Sequence, residues 1–205
     1  MRLNAPFATV TPTLDGDVLA VLASTDVAFT INQVQRILTT ASGEGIRKVL
    51  NRLTAQGVLL HDQVGRTHTY RLNAEHLAAR PIMALARLNA TFHARLEQYL
   101  AEWGAMLQYG AVFGSAATGR MTLDSDIDVL LVRAPDADDD VWDQQVSDLG
   151  SQITAWTGND GRIVDYGSDE FRAAVRAGEP LLREVAEHGL TVAGTRAWLT
   201  TQLRR

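Results

Sequence analysis

The spacing of apolar and polar positions changes several times along the chain, and each change predicts an element. Leu14, Val18, Val21 and Leu22 recur at helical spacing. A second short helix is expected in "TINQVQRIL", with Thr30 as its cap and Ile31, Val34, Ile37 and Leu38 on one side. In "ASGEGIRKVLNRLTAQGVLL" the stripe Ile46, Val49, Leu50 and Leu53 falls at i, i+3, i+4 and i+7, opposite Glu44, Arg47, Lys48, Asn51 and Arg52. Ser42 suits its N-cap and Gly57 its stop. The period then drops to two: "VLLHDQV" and "RTHTYRL" bracket Gly65 and predict a β-hairpin. From Pro81 to about Ala105, Leu85, Leu88, Phe92, Leu96, Tyr99 and Trp103 line one seam. That predicts a connecting helix of about seven turns, ~35 Å at 1.5 Å per residue, whose seam packs in the protein's own core or against a second copy as a homodimer. "QYGAVFGS" and "DIDVLLV" then read as strands, "DDDVWDQQVSDLGSQITAWTG" as a helix and "GRIVDYG" as a strand. "SDEFRAAVRAGEPLLREVAEHGLTVAG" reads as two short helices and a closing strand, with Arg172 and Arg176 expected near the functional site, and "WLTTQLRR" as an exposed helical tail.

Three helices followed by a hairpin is the order of a winged helix-turn-helix, and residues 1–80 resemble the regulator-type versions of that domain. The resemblance implies that the helix at 43–56 lies in a DNA major groove, with Arg47, Lys48, Asn51 and Arg52 facing phosphates or base edges. Arg66 and His68, at the hairpin tip, would then approach the neighbouring backbone or minor groove, making double-stranded DNA a partner. A merely solvated helix face, or a protein-docking module, is the alternative. "GEGIRK" (43–48) starts like a dinucleotide fingerprint but lacks the third glycine and a preceding strand, so Gly43 and Gly45 read as helix entry.

Charge separates the two parts. Residues 1–80 hold 8 Lys+Arg against 6 Asp+Glu, and residues 81–205 hold 11 against 18. A mildly basic front beside an acidic back fits a nucleic-acid-facing module joined to a carboxylate-rich one. The absence of cysteine excludes disulfides, thiolate zinc sites and a cysteine nucleophile, and the five histidines match no metal-ligand spacing. No uninterrupted apolar run reaches membrane-spanning length and the first residues lack a signal peptide's apolar core, so the expectation is a soluble, cytoplasmic protein with no membrane partner.

The chemistry concentrates in "FGSAATGRMTLDSDIDVLLV", residues 113–132. On an extended strand alternate side chains share a face, so Asp126 and Asp128 point the same way while Ile127 turns to the core. Two carboxylates side by side repel unless a positive charge stands between them. Hard oxygen ligands suit Mg²⁺ or Mn²⁺, completed by waters and substrate phosphates. Gly114 lets backbone approach a phosphate closely, and Ser115 offers a hydroxyl and an N–H where a helix begins.

"GSAATGRMTLDSDID" resembles the signature of the polymerase-β-like nucleotidyltransferases, especially the minimal bacterial ones, in which Gly-Ser is followed about ten residues later by Asp-x-Asp. The likeness runs from Gly114 through Asp128. It implies that Gly114 and Ser115, with Arg120 and Ser125, hold the triphosphate of an incoming NTP, expected to be ATP, and that Asp126 and Asp128 bind the metals. The family's third carboxylate lies on a later strand, and Asp165 in "GRIVDYG" is its candidate here, as metal ligand and general base. Many members carry arginines where this chain has Ala116 and Thr118, which leaves Arg120 for that role.

The expected fold is α+β: a winged helix-turn-helix over 1–80, a connecting helix over 81–105, and a nucleotidyltransferase-fold mixed sheet with flanking helices over 106–205. The expected function is metal-dependent transfer of an NMP group from an NTP to an acceptor hydroxyl on a protein, RNA or small molecule. Small members of the family modify antibiotics, proteins or RNA ends, and some are antitoxins that modify a partner toxin. The alternative is a DNA-binding transcriptional regulator whose transferase-like domain only binds nucleotide or a partner.

Overall fold

Helix α1, Leu14–Ala23, turns Val18, Val21 and Leu22 inward. Helix α2, Ile31–Ile37, starts with a capping box: the Thr30 hydroxyl accepts from the Gln33 N–H at 3.2 Å, and the Gln33 side-chain oxygen accepts from the Thr30 N–H at 2.8 Å. Helix α3, Gly43–Ala55, is capped by Ser42, whose Oγ accepts from the Gly45 N–H at 3.1 Å, and it stops at Gly57, which takes the left-handed conformation at φ +76°. Its stripe Ile46, Val49, Leu50 and Leu53 is buried, each side chain contributing about 2 kcal/mol of transfer free energy. Strands β1, Leu59–Val64, and β2, Thr67–Leu72, pair antiparallel around Gly65 and Arg66, with Val64 opposite Thr67. Phe29 adds a third short rung, exchanging both backbone hydrogen bonds with Tyr70 at 2.8 Å. Helix α4, Ala79–Ala86, closes this unit by burying Ala79 and Ile82 in the same core.

The computed structural model describes residues 1–204 and divides them into two compact units, one of residues 5–89 and one of residues 1–4 with 90 onward. The expected uninterrupted helix over 81–105 is instead two: α4 ends at Ala86, and α5, Leu88–Ala101, follows. At Arg87 the backbone N–H is shared between the Met83 and Ala84 carbonyls, at 3.1 and 3.2 Å, which tightens the last turn. Neither proline nor glycine stands there. The apolar side of α4 serves the first core, whereas Phe92, Leu96 and Leu100 of α5, with Trp103 beyond it, serve the second.

The second unit is built on a four-stranded mixed sheet in the order β5-β4-β3-β6. Strand β3 is Leu107–Phe113, and the one-turn helix α6, Gly114–Ala117, follows it directly. Strand β4, Ile127–Arg133, pairs antiparallel with β3 and parallel with β5, Gly161–Tyr166. Between β4 and β5 runs α7, Asp139–Thr157, capped by the Asp138 carboxylate on the Val141 N–H at 3.0 Å and stopped by Gly158 at φ +72°. Helices α8, Ser168–Ala177, and α9, Pro180–His188, lead to the edge strand β6, Leu190–Ala193, and then to α10, Arg196–Gln202.

Alternation divides the sheet residues between two cores. Val112, Ile127, Val129 and Leu131 pack with α5 and with Trp142, Leu149 and Ile153 of α7. Tyr109, Ala111, Phe113, Leu130 and Val132 pack with Phe171, Leu182, Val185 and Leu199 on the other face. Among the described residues no helix is long and apolar enough to cross a membrane.

Candidate functional site

The site forms where β3 ends and β4 begins. Gly114 takes φ +66°, which turns the chain from β3 into α6. A Cβ on Gly114 would stand 2.7 Å from Asp128 Oδ2, so the carboxylate occupies the space that the missing side chain leaves. The following loop is held by its own hydrogen bonds. The Thr118 hydroxyl donates to the Gly114 carbonyl at 2.9 Å, Arg120 Nε donates to the Thr118 hydroxyl at 3.2 Å, and the Arg120 N–H donates to the Ser115 carbonyl at 3.0 Å. Ser125 Oγ accepts from the Thr122 N–H at 2.9 Å, and the buried Asn159 donates to the Ser125 carbonyl at 2.7 Å, fixing the chain just ahead of Asp126.

Asp128 falls on the face of β4 that carries Leu130 and Val132, and Asp126, just ahead of the strand, is close enough for its charge to act on Asp128. Burial pushes the Asp128 carboxyl above the usual carboxylate range and the charge of Asp126 adds to the rise; Arg162 opposes it, and Glu184 of α9 raises it again. Arg162 Nη1 lies 2.9 Å from Asp126 Oδ2. Sequence reasoning missed both Arg162 and Glu184.

The structure does not bring Asp165 to Asp126 and Asp128. The parallel register sets Arg162 opposite Asp128 and Asp165 opposite Leu131, three residues further along. Period two then turns Asp165 to the α7 face, where its Oδ2 accepts from Trp142 Nε1 at 2.8 Å. Its carboxylate therefore caps a buried indole instead of joining Asp126 and Asp128. Both Ile163 and Val164 are apolar because the strand is covered on both faces, so parity could not be read from them. Arg172 and Arg176 also lie away from the site. Arg172 lines a cavity of about 360 Å³ with Gln108 and Val132, at the end of β3 and β4 remote from Phe113 and Asp128, and both arginines border an adjoining one of about 250 Å³.

The donor set fits one hard divalent cation. Two carboxylates stand together beside a glycine cradle, and among the described residues no three Asp, Glu, His or Cys side chains come close enough to hold a metal ion.

In the unit of residues 5–89, Arg47, Lys48, Asn51 and Arg52 all sit on the exposed face of α3. Arg47 is ion-paired with Glu44 and Arg52 with Asp15 of α1. Among the described residues Lys48 and Asn51 have no side-chain partner. Arg66 and His68 border a shallow groove of about 250 Å³ with Thr30 and Asn32, and His68 Nδ1 lies 2.8 Å from His61 Nε2.

No curated relative matches the chain. Several solved structures resemble it at low similarity. A crystal structure of a toxin-antitoxin with AMP-PNP is 20% identical over 55% of this chain and 81% of its own, with a TM-score of 0.40. The toxin-antitoxin MntA-HepT is 20% identical over 58% and 80%, at 0.36. A tri-AMPylated Shewanella oneidensis HEPN toxin in complex with MNT antitoxin is 18% identical over 56% and 80%, at 0.38. Residues 108–176, which carry the Gly114 turn, Asp126 and Asp128 and all of β5, match the family model of the nucleotidyltransferase domain.

Proposed function

We propose that the protein transfers a nucleoside monophosphate from an NTP to an acceptor hydroxyl and releases pyrophosphate. The observation that carries this reading is the contact between Gly114 and Asp128: a left-handed glycine on β3 and a carboxylate on β4 are fitted to one another at the mouth of the sheet. The Gly114–Ser115 turn is the place for the triphosphate, with Arg120 beside it and Ser125 holding the loop. Asp126 and Asp128 would hold Mg²⁺ or Mn²⁺, which when bound offsets the charge of the triphosphate and exposes its α-phosphorus to in-line attack. The acceptor oxygen bonds to that phosphorus as the bond to the pyrophosphate oxygen breaks. With Asp165 on the other face, Glu184 of α9, whose charge acts on Asp128, is the carboxylate we propose to test as acceptor of the hydroxyl proton. Positioning and charge complementarity supply most of the rate. ATP is the first nucleotide to try.

Calorimetric titration of ATP, GTP, CTP and UTP, with Mg²⁺ and without, into the wild type and an Asp126→Ala/Asp128→Ala variant tests the reading. Metal-dependent binding that the variant loses is expected. Absence of binding by every nucleotide overturns it.

For residues 5–89 we propose a winged helix whose α3 binds double-stranded DNA, carried chiefly by Lys48 and Asn51. The support is the three-helix and hairpin order and the exposed, unpartnered state of those two side chains. Lys48→Ala should weaken duplex binding evenly across sequences and lower the salt slope by about one. A second reading, a DNA-binding regulator whose transferase-like domain only holds nucleotide or a partner, is favoured by the ion pair that Arg162 makes with Asp126. Under it the double aspartate variant keeps its duplex affinity and no acceptor is ever labelled.

A further inference from the structure

The third carboxylate expected on β5 faces away, and the residue that takes its place in the register is a cation. Arg162 stands opposite Asp128, reaches Asp126 at 2.9 Å, and lowers the charge of the pair. Its side chain is 67% exposed while that of Asp126 is 24% exposed, so the guanidinium lies over the carboxylates from the solvent side and is free to change partner. Arg120, the arginine of the Gly114–Arg120 loop, has its Nε engaged by the Thr118 hydroxyl. A guanidinium also presents paired donors suited to phosphate oxygens.

We infer that Arg162 serves as the second cation of this site: it restricts Asp126 and Asp128 to a single divalent ion and, when a nucleotide enters, moves from Asp126 to the triphosphate. The inference rests on the nucleotidyl-transfer reading and deepens it by giving the site a one-ion stoichiometry and a positioning residue. Asp126, released by Arg162, would then hold the ion together with Asp128 without a competing guanidinium. A second divalent ion would have to sit beside the guanidinium, where like charges repel.

Manganese titration followed by the electron paramagnetic resonance of free Mn²⁺, paired with calorimetry of the nonhydrolysable analogue α,β-methylene-ATP, tests this in the intact chain. The wild type should bind one Mn²⁺ in the absence of nucleotide. Arg162→Asp, which restores a carboxylate at that register position, should bind a second Mn²⁺ or bind the first at least tenfold more tightly. Arg162→Ala, which frees Asp126, should bind Mn²⁺ more tightly or take a second ion in the absence of nucleotide, yet bind the Mn²⁺-loaded analogue at least tenfold more weakly, and Arg162→Lys should keep the one-ion limit. Because the side chain is exposed, thermal melts of all variants should match the wild type within about 2 °C. Two Mn²⁺ on the nucleotide-free wild type, or an Arg162→Ala variant that binds the analogue as tightly as wild type, overturns the role of Arg162 alone. Failure of the wild type to bind either Mn²⁺ or the analogue overturns the transfer reading and this inference with it.

Discussion

Arg162 and Asp165 lie three residues apart on one strand, and they serve opposite faces of the sheet. Arg162 faces Asp126 and Asp128 and holds charge where a substrate can reach it. Asp165 faces α7 and satisfies the indole N–H of a tryptophan that is only 1% exposed. The difference teaches that a carboxylate near a site in sequence is assigned to chemistry or to packing by strand parity. One residue of register decides it.

The largest effect expected on the site face is that of Asp128→Ala, which should lower nucleotide transfer by about a thousandfold, followed as label moved from an α-labelled NTP into acceptor. Unchanged turnover would remove the site face from the comparison. Glu184→Gln should cost about a hundredfold in the same assay with nucleotide binding retained, since it removes a proton acceptor and leaves the cradle intact. Loss of binding instead would make Glu184 a ligand-holding residue. On the other face, Asp165→Ala should leave turnover within about twofold and lower unfolding free energy by about 1–3 kcal/mol, read by urea denaturation, because the buried Trp142 N–H loses its acceptor. A large fall in turnover with stability intact would reverse the assignment of the two faces.

The smallest effect is confined to alkaline pH. Burial, followed by the hydrogen bond to Glu179, pushes the Tyr166 phenol at the end of β5 up to about 12. A raised pKa means that the folded state holds the proton longer than the unfolded chain, whose phenol titrates near about 10. The stabilising contribution is therefore complete below that value and disappears as pH rises towards about 12. Tyr166→Phe should flatten the fall in urea midpoint across that window, and an identical fall in both proteins would assign the loss to other groups.

Much of this architecture was legible because apolar spacing answers directly to burial. The α3 stripe, the Thr30 and Ser42 caps and the hairpin at Gly65 each depend on neighbours within a few residues. The closeness of Asp126 and Asp128 was legible for the same reason, since alternation needs only the strand itself. The break at Arg87 was hidden because two separate cores claim the two helices and no proline or glycine marks the change. Asp165 was misplaced because a strand covered on both faces has no polar alternation to set its parity. Glu184 carries no local signal: its charge acts on Asp128 from α9, 56 positions downstream.

The fit of Gly114 to Asp128 has a consequence for how this domain can change by descent. A lineage that keeps the carboxylate in its present position must keep the glycine, since a Cβ at position 114 would stand 2.7 Å from its oxygen. A lineage in which Asp128 is lost is released from that collision and retains only the backbone requirement at φ +66°, which asparagine and aspartate also tolerate. Substitution at 114 is thus a historical marker, and among decayed copies of this domain asparagine there should appear only after the aspartate has gone.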